Sequence, residues 1–307
     1  MKAPAPLNTG DTIAILSPAG ALRDTSIIDA TAHLLEKWGL KVKIMPHAQT
    51  KKGYYSGTAE ERMDDFAKAL TDNDIKAVLC SYGGYGCVHL LKDFATLIKE
   101  HPKWIIGMSD CSALHAACLS QGIMSIHASQ CNHLSKFPDS FPANMLRDIL
   151  FGKKPRYENT SHKLDIHGTA TGRLAGGNLS VLTALIGTEY DIFKEDTILF
   201  IEDIGEQPYR IERMMYQLEL CGALSRIKGV IVGQFTGIKE NPEFGEPYNL
   251  IHNIVKKYNI PICFDFPIGH CDENIPLIEG AECMLTVAED EITLEVFEEI
   301  KKSNNIE

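Results

Sequence analysis

Residues Trp104 to His115 read "WIIGMSDCSALH". A short apolar run ends in glycine and methionine, a hydroxyl residue follows, and a helix-forming run begins. Strand, tight turn, then helix is the repeating unit of a parallel sheet covered by helices, because parallel strands need a long crossover and a helix is the usual one. The residues upstream repeat the unit. "TIAILSP" (12–18) reads as a strand. "DTSIIDATAHLLEKWG" (24–39) reads as a helix with Ile27/Ile28, Thr31, Leu34/Leu35 and Trp38 on one face and Gly39 as its stop. "KVKIMP" is the next strand, and "TAEERMDDFAKAL" opens with a Thr58 to Glu61 capping box. Strand "IKAVLCSY", loop "GGYG", helix "CVHLLKDFATLIKE", the opening stretch itself and strand "IMSIHA" complete a doubly wound α/β unit over residues 1–151.

Residues 152–168, "GKKPRYENTSHKLDIHG", are polar and aperiodic and contain Pro155, which marks them as a linker. A second domain is expected over 169–307. Strands "GTATGRLAG", "TILFIED", "KGVIVGQFTG", "IPICFDFP", "CMLTVA" and "EITLEV" outnumber the helices "NLSVLTALIG", "YRIERMMYQLELCG" and "PYNLIHNIVKKY". That ratio predicts a mixed sheet here, where the first domain is parallel. Ile211, Met214/Met215, Leu218 and Cys221 share a helical face and read as core packing. The charged tail "EEIKKSNNIE" closes the chain.

The 307 residues carry 41 acidic against 30 basic side chains, a formal charge of −11, with no basic cluster, so a nucleic-acid partner is not expected. No apolar run approaches the roughly 20 residues of a membrane helix, and no convincing signal peptide opens the chain. The nine cysteines lack any C-x-x-C and sit mostly in apolar stretches, as small hydrophobes in a reducing compartment do, which predicts a cytoplasmic protein. Cys131/His133 and His270/Cys271/Asp272 are ligand types without zinc spacing, so neither metal nor cofactor is expected.

Open parallel sheets bind ligands at the carboxyl ends of their strands. Three turns qualify in the first domain: "SPAG", "GGYG" and the turn at Ser109. Ser109 admits two readings, a nucleophile on a sharp strand-to-helix turn or a helix N-cap shared with Asp110 or Ser112, and local residue preference alone favours the cap. A nucleophile needs a base and the base needs an orienter. His270 in "FPIGHCDEN" follows a strand and a glycine; His127 and His133 compete with it. Glu202 and Asp203 close an apolar strand, where a carboxylate needs a partner or else caps the following turn. The glycines of "GGYG" could bring amides to an oxyanion, or punctuate a turn; no P-loop or G-x-G-x-x-G spacing supports a phosphate cradle.

Taken together, "IAILSPAG", "GGYG" with "LL", "GMSD" with "ALH", "GRLAGGNLSVLTALIGT", "LFIEDIGEQPYRIERMMYQL", "GVIVGQF" and "PIGH" resemble the LD-carboxypeptidase family of serine peptidases, which includes murein tetrapeptide carboxypeptidases and microcin C immunity peptidases. The resemblance implies a nucleophile at Ser109, an acid at Glu202, a histidine at His270 and oxyanion amides at Asp110 and Gly84. It implies a metal-independent homodimer that takes a small peptide and releases the terminal D-alanine of murein tetrapeptide. Cleavage of aminoacyl-nucleotide-like conjugates is the alternative activity, and a binding module that has lost activity is a third reading, against which the intact Ser, Glu and His argue. Two departures stand out from the pattern of many murein-type relatives: Tyr82 stands where they have Arg, and Ala128-Ser129 follow His127 where Gly-Pro is common.

Overall fold

The computed structural model describes residues 1–239 and 243–297; the charged tail lies outside them. The described residues divide into two compact units, Met1–Lys154 with Ile275–Ile278, and Pro155–Asn274 with 279–297.

In the first unit β1 (Thr12–Leu16), β2 (Lys41–Ile44), β3 (Ile75–Cys80), β4 (Trp104–Gly107) and β5 (Ser125–His127) alternate with helices. Those helices are α1 (Ser26–Lys37), α2 (Ala59–Thr71), α3 (Leu91–Glu100) and α4 (Ser112–Ser120). Two further helices, α5 (Cys131–Lys136) and α6 (Phe141–Leu150), follow β5. The pairs β1–β2, β1–β3, β3–β4 and β4–β5 are all parallel, giving the strand order β2-β1-β3-β4-β5. Strand order reverses between β1 and β3, and at such a switch point the loops after the two strands diverge to leave a crevice. The Thr58 capping box forms as read: its hydroxyl accepts from Glu61 N at 3.1 Å and the Glu61 carboxylate accepts from Thr58 N at 2.7 Å.

The second unit is built on β6 (Arg156–Thr160), β7 (Gly168–Asn178), β8 (Thr197–Ile204), β9 (Gly229–Thr236) and β10 (Ile262–Cys263). Helices α7 (Leu179–Ala184), α8 (Pro208–Leu220) and α9 (Pro247–Val255) connect them. Two late strands follow β11 (Leu277–Glu279), namely β12 (Glu282–Val287) and β13 (Glu291–Val296). The sheet runs β10-β9-β8-β7-β12-β13-β6, parallel from β10 to β7 and antiparallel from β7 to β6, so it is mixed as expected.

Two segments depart from the sequence reading. The stretch taken as a linker carries β6, an edge strand whose residues are polar because only Tyr157 points to the core, so it lacks an apolar period. The chain accordingly divides after Lys154 and not across 152–168. Residues 277–279 form β11, which joins the first sheet beside β5, a pairing so distant in sequence that no local pattern announces it. Among the described residues no helix is long and apolar enough to cross a membrane.

Candidate active site

β4 ends at Gly107, Met108 is extended, and Ser109 then adopts φ +62°, in the left-handed region where a side chain is strained. A 3-10 turn, Ser109–Cys111, leads into α4. The cap positions of that turn and of α4 fall on Met108 and Cys111, and neither makes a side-chain cap bond, so Ser109 is not the N-cap of either. Strain at a half-buried serine between strand and helix is the geometry of a nucleophile elbow, which lifts the hydroxyl off the sheet edge.

The elbow is packed against the "GGYG" loop. A Cβ on Gly83 would stand 2.8 Å from Ser109 Cβ and 3.3 Å from Asp110 N, so only glycine allows this approach. Asp110 is buried and its carboxylate accepts from Cys87 N at 2.8 Å, joining the far end of the loop to the elbow; burial raises its pKa. Gly84, at φ +88°, follows with its α-carbon beside the Tyr54 hydroxyl. Gly20 N donates to Gly83 O at 2.9 Å, so the loops after β1 and β3 touch at the switch point.

Arg62, invisible to motif reading, ties these loops together. Its buried guanidinium donates to Pro18 O at 2.5 Å, to Gly86 O at 2.9 Å and to Thr58 O at 3.2 Å, and lies over the Tyr55 ring. His115, on α4, bridges Gly107 O at 2.9 Å and the Ser125 hydroxyl at 2.8 Å; burial pushes its pKa down to about 4, against the Gly107 bond, so the ring is neutral and braces the elbow from below. The competing histidines have other settings: His127 is buried at the end of β5, and His133 lies on α5 against Phe137.

The second unit brings the acid and the histidine together. Successive residues of a strand point to opposite faces, so Glu202 and Asp203 at the end of β8 separate. Glu202 is fully buried, and its Oε2 lies 2.7 Å from His270 Nδ1, while Oε1 has no partner among the described residues. Asp203 accepts from Asn178 Nδ2 at 2.9 Å, Ser180 N at 2.9 Å and Ile204 N at 2.8 Å, so it holds the start of α7 and is the capping carboxylate of the two. Its burial lifts its pKa to about 6. Gly269, at φ +109°, lets the His270 loop approach: a Cβ there would stand 2.7 Å from Glu202 Cβ. Burial works to lower the His270 pKa, and the Glu202 hydrogen bond and charge overcome it, leaving it raised. With Nδ1 donating to Glu202, Nε2 is the atom that can take a proton.

Among the described residues one cluster of metal-ligating types converges, His47, Asp64 and Asp65. Within it His47 Nδ1 and Asp65 are hydrogen-bonded to each other at 2.9 Å, and Lys68 pairs with Asp64 at 2.6 Å.

The first unit thus carries a serine on a strained strand-to-helix turn of a parallel sheet, and the second a carboxylate–imidazole pair on a mixed one. The LD-carboxypeptidase N-terminal domain model matches residues 13–128 and the C-terminal domain model matches residues 171–285. The Bacillus subtilis protein named "Probable murein peptide carboxypeptidase" is 32% identical over 95% of this chain and 94% of its own length. The chain belongs to the LD-carboxypeptidase family, a family of peptidase hydrolases. Its structure resembles the muramoyltetrapeptide carboxypeptidase of Oxalobacter formigenes with a TM-score of 0.83 at 27% identity, covering 94% of this chain and 99% of that one. It shares its fold with the protein MccF, solved in complex with glutamyl sulfamoyl guanosine, at a TM-score of 0.85 and 22% identity, covering 97% of this chain and 99% of that one.

Proposed function

We propose that the protein is a serine LD-carboxypeptidase that hydrolyses the L,D-peptide bond of murein tetrapeptide and releases the terminal D-alanine. The observation that carries this reading is the strained backbone of Ser109 at the strand-to-helix turn, since strain at a half-buried serine persists only where the surroundings hold it in place. His270 Nε2 takes the Ser109 proton, with Glu202 holding the imidazole in the tautomer that can do so. Ser109 Oγ attacks the carbonyl carbon on the L-side of the bond. The oxyanion is held by the N–H groups of Asp110 and Gly84, whose surroundings are fixed by Gly83 and Arg62. His270 then protonates the leaving D-alanine amine, and water repeats the cycle to free the enzyme.

The reading places the enzyme in the cytoplasm as a homodimer; its nine free cysteines, seven of them buried, support a reducing setting. The test is incubation with disaccharide-free tetrapeptide. D-alanine release by the native protein and none by Ser109→Ala is expected; no release by the native protein refutes the activity, and equal release by the variant refutes the nucleophile.

A second reading, cleavage of an aminoacyl-nucleotide conjugate, draws on one observation. Tyr54, Tyr82 and Tyr85 stand exposed around the Gly83–Gly84 turn, where a base could stack. Aspartyl sulfamoyl adenosine, assayed beside the tetrapeptide, separates the two.

A further inference from the structure

A cavity of about 570 Å³ opens in the first unit beside the "GGYG" loop. Its walls come from segments that follow four strands of the parallel sheet: Arg23 and Asp24 after β1, Lys51 and Tyr54 after β2, Tyr82 after β3, and Asn132 after β5. It therefore lies on the side of the sheet where open α/β folds bind ligands. Tyr82, in its wall, is the residue next to Gly83, which is packed against Ser109, so the loop that lines the cavity is the one that meets the elbow.

The charges in this cavity are unevenly committed. Asp24 turns its carboxylate to the start of α1, accepting from Ser26 N at 2.9 Å and Ser26 Oγ at 2.7 Å. Arg23 and Lys51 make no ion pair or side-chain hydrogen bond among the described residues. Two uncommitted cations on one cavity, in a chain of net charge −11, are a local reversal of sign. The Tyr54 hydroxyl, beside Gly84, and the Asn132 amide add neutral donors. A planar anion fits this donor set, since guanidinium and ammonium groups recognise carboxylates through charge-assisted hydrogen bonds.

We propose that this cavity is a subsite for a carboxylate of the peptide substrate, with Arg23 and Lys51 as its cations and Tyr54 as a neutral donor. The inference rests on the peptidase reading above and extends it to substrate choice. A tetrapeptide can present that carboxylate from its C-terminus or from the side chain of a diaminopimelate third residue.

The test is steady-state kinetics of the full chain and of the double variant Arg23→Gln/Lys51→Gln. Three tetrapeptides serve: diaminopimelate at position three with a free C-terminus, lysine at position three with a free C-terminus, and diaminopimelate with a C-terminal amide. On the first, the variant is expected to lose about tenfold or more in kcat/KM, mainly through KM, as removal of a charge-assisted contact implies. On the peptide lacking the bound carboxylate the native protein and the variant converge, which says which carboxylate occupies the cavity. Equal kinetics on the first peptide, or the same loss on all three, overturns the proposal. If the native protein cleaves none of them, the peptidase reading fails, and calorimetric binding of the first peptide decides the cavity separately: about tenfold weaker binding by the variant sustains it, and unchanged binding overturns it.

Discussion

The Oε2 atom of Glu202 lies 2.7 Å from Nδ1 of His270, and that carboxylate has no other partner among the described residues. A fully buried acid committed to one imidazole both orients the ring and raises its pKa above the ordinary 6.5, although burial alone would lower it. Since the imidazolium cannot accept a proton, kcat/KM for D-alanine release should rise with pH through an apparent pKa above 6.5. Glu202→Gln should move this limb downward and cost about 10³-fold or more in rate, because the tautomer and the charge are both lost. A pH–rate profile unchanged by the substitution would remove Glu202 from the mechanism.

Gly83 and Ser109 are apposed so closely that a methyl group on Gly83 would sit 2.8 Å from Ser109 Cβ. Gly83→Ala should therefore displace the elbow and lower kcat by about 10²-fold, the scale set by misplacing a reacting group by an ångström. The melting temperature should shift only modestly. Activity within twofold of native would show that the elbow tolerates the shift.

Arg62 satisfies the carbonyls of Pro18, Gly86 and Thr58 in a buried setting. Arg62→Met keeps the apolar stem and removes the donors; Gly86 O keeps its bond from His89 N and Thr58 O its bond from the main-chain N of residue 62, so the loss falls on Pro18 O at a cost of about 2 kcal/mol. Urea unfolding measures that loss. At temperatures where the variant remains folded, kcat should also drop, because two of the three carbonyls belong to the loops that flank Ser109. A stability loss without any change in kcat would confine Arg62 to a structural role.

The two histidines bias stability in opposite directions. His115 has a folded pKa depressed to about 4, so its contribution is fully present above pH 6.5 and is lost as pH falls through about 4. The gap corresponds to about 3 kcal/mol. His270 has a raised folded pKa, so its contribution is present below 6.5 and is lost as pH rises through the folded value. His115→Gln should flatten the acid side of the stability curve measured by urea unfolding between pH 4 and 7. Parallel curves for native protein and variant would show that His115 is not the group titrating.

Much of the fold was legible in residue pattern alone. The strand and helix alternation of residues 12–128, the Thr58 capping box and the mixed second sheet follow from local periodicity and turn chemistry, which act within a few residues. The polar edge strand β6 was hidden because its single buried side chain gives no period, and β11 because it is three residues long and pairs far across the sequence. Site residues divided in the same way. "GMSD", "FIED" and "PIGH" mark Ser109, Glu202 and His270 as chemically apt, but the serine types at residues 109 and 112 fit a helix cap equally well. Tertiary structure removed the cap reading of Ser109, whose backbone turns at φ +62° while the cap positions fall on Met108 and Cys111. It also separated Glu202 from Asp203, two adjacent carboxylates with the same local chemistry, by sending one to an imidazole and the other to a helix start. Arg62 and the Arg23–Lys51 cavity belong wholly to this second level. Local propensity is a property of short segments, whereas a buried cation clamp or a cavity between segments that follow four different strands exists only once distant segments are packed together.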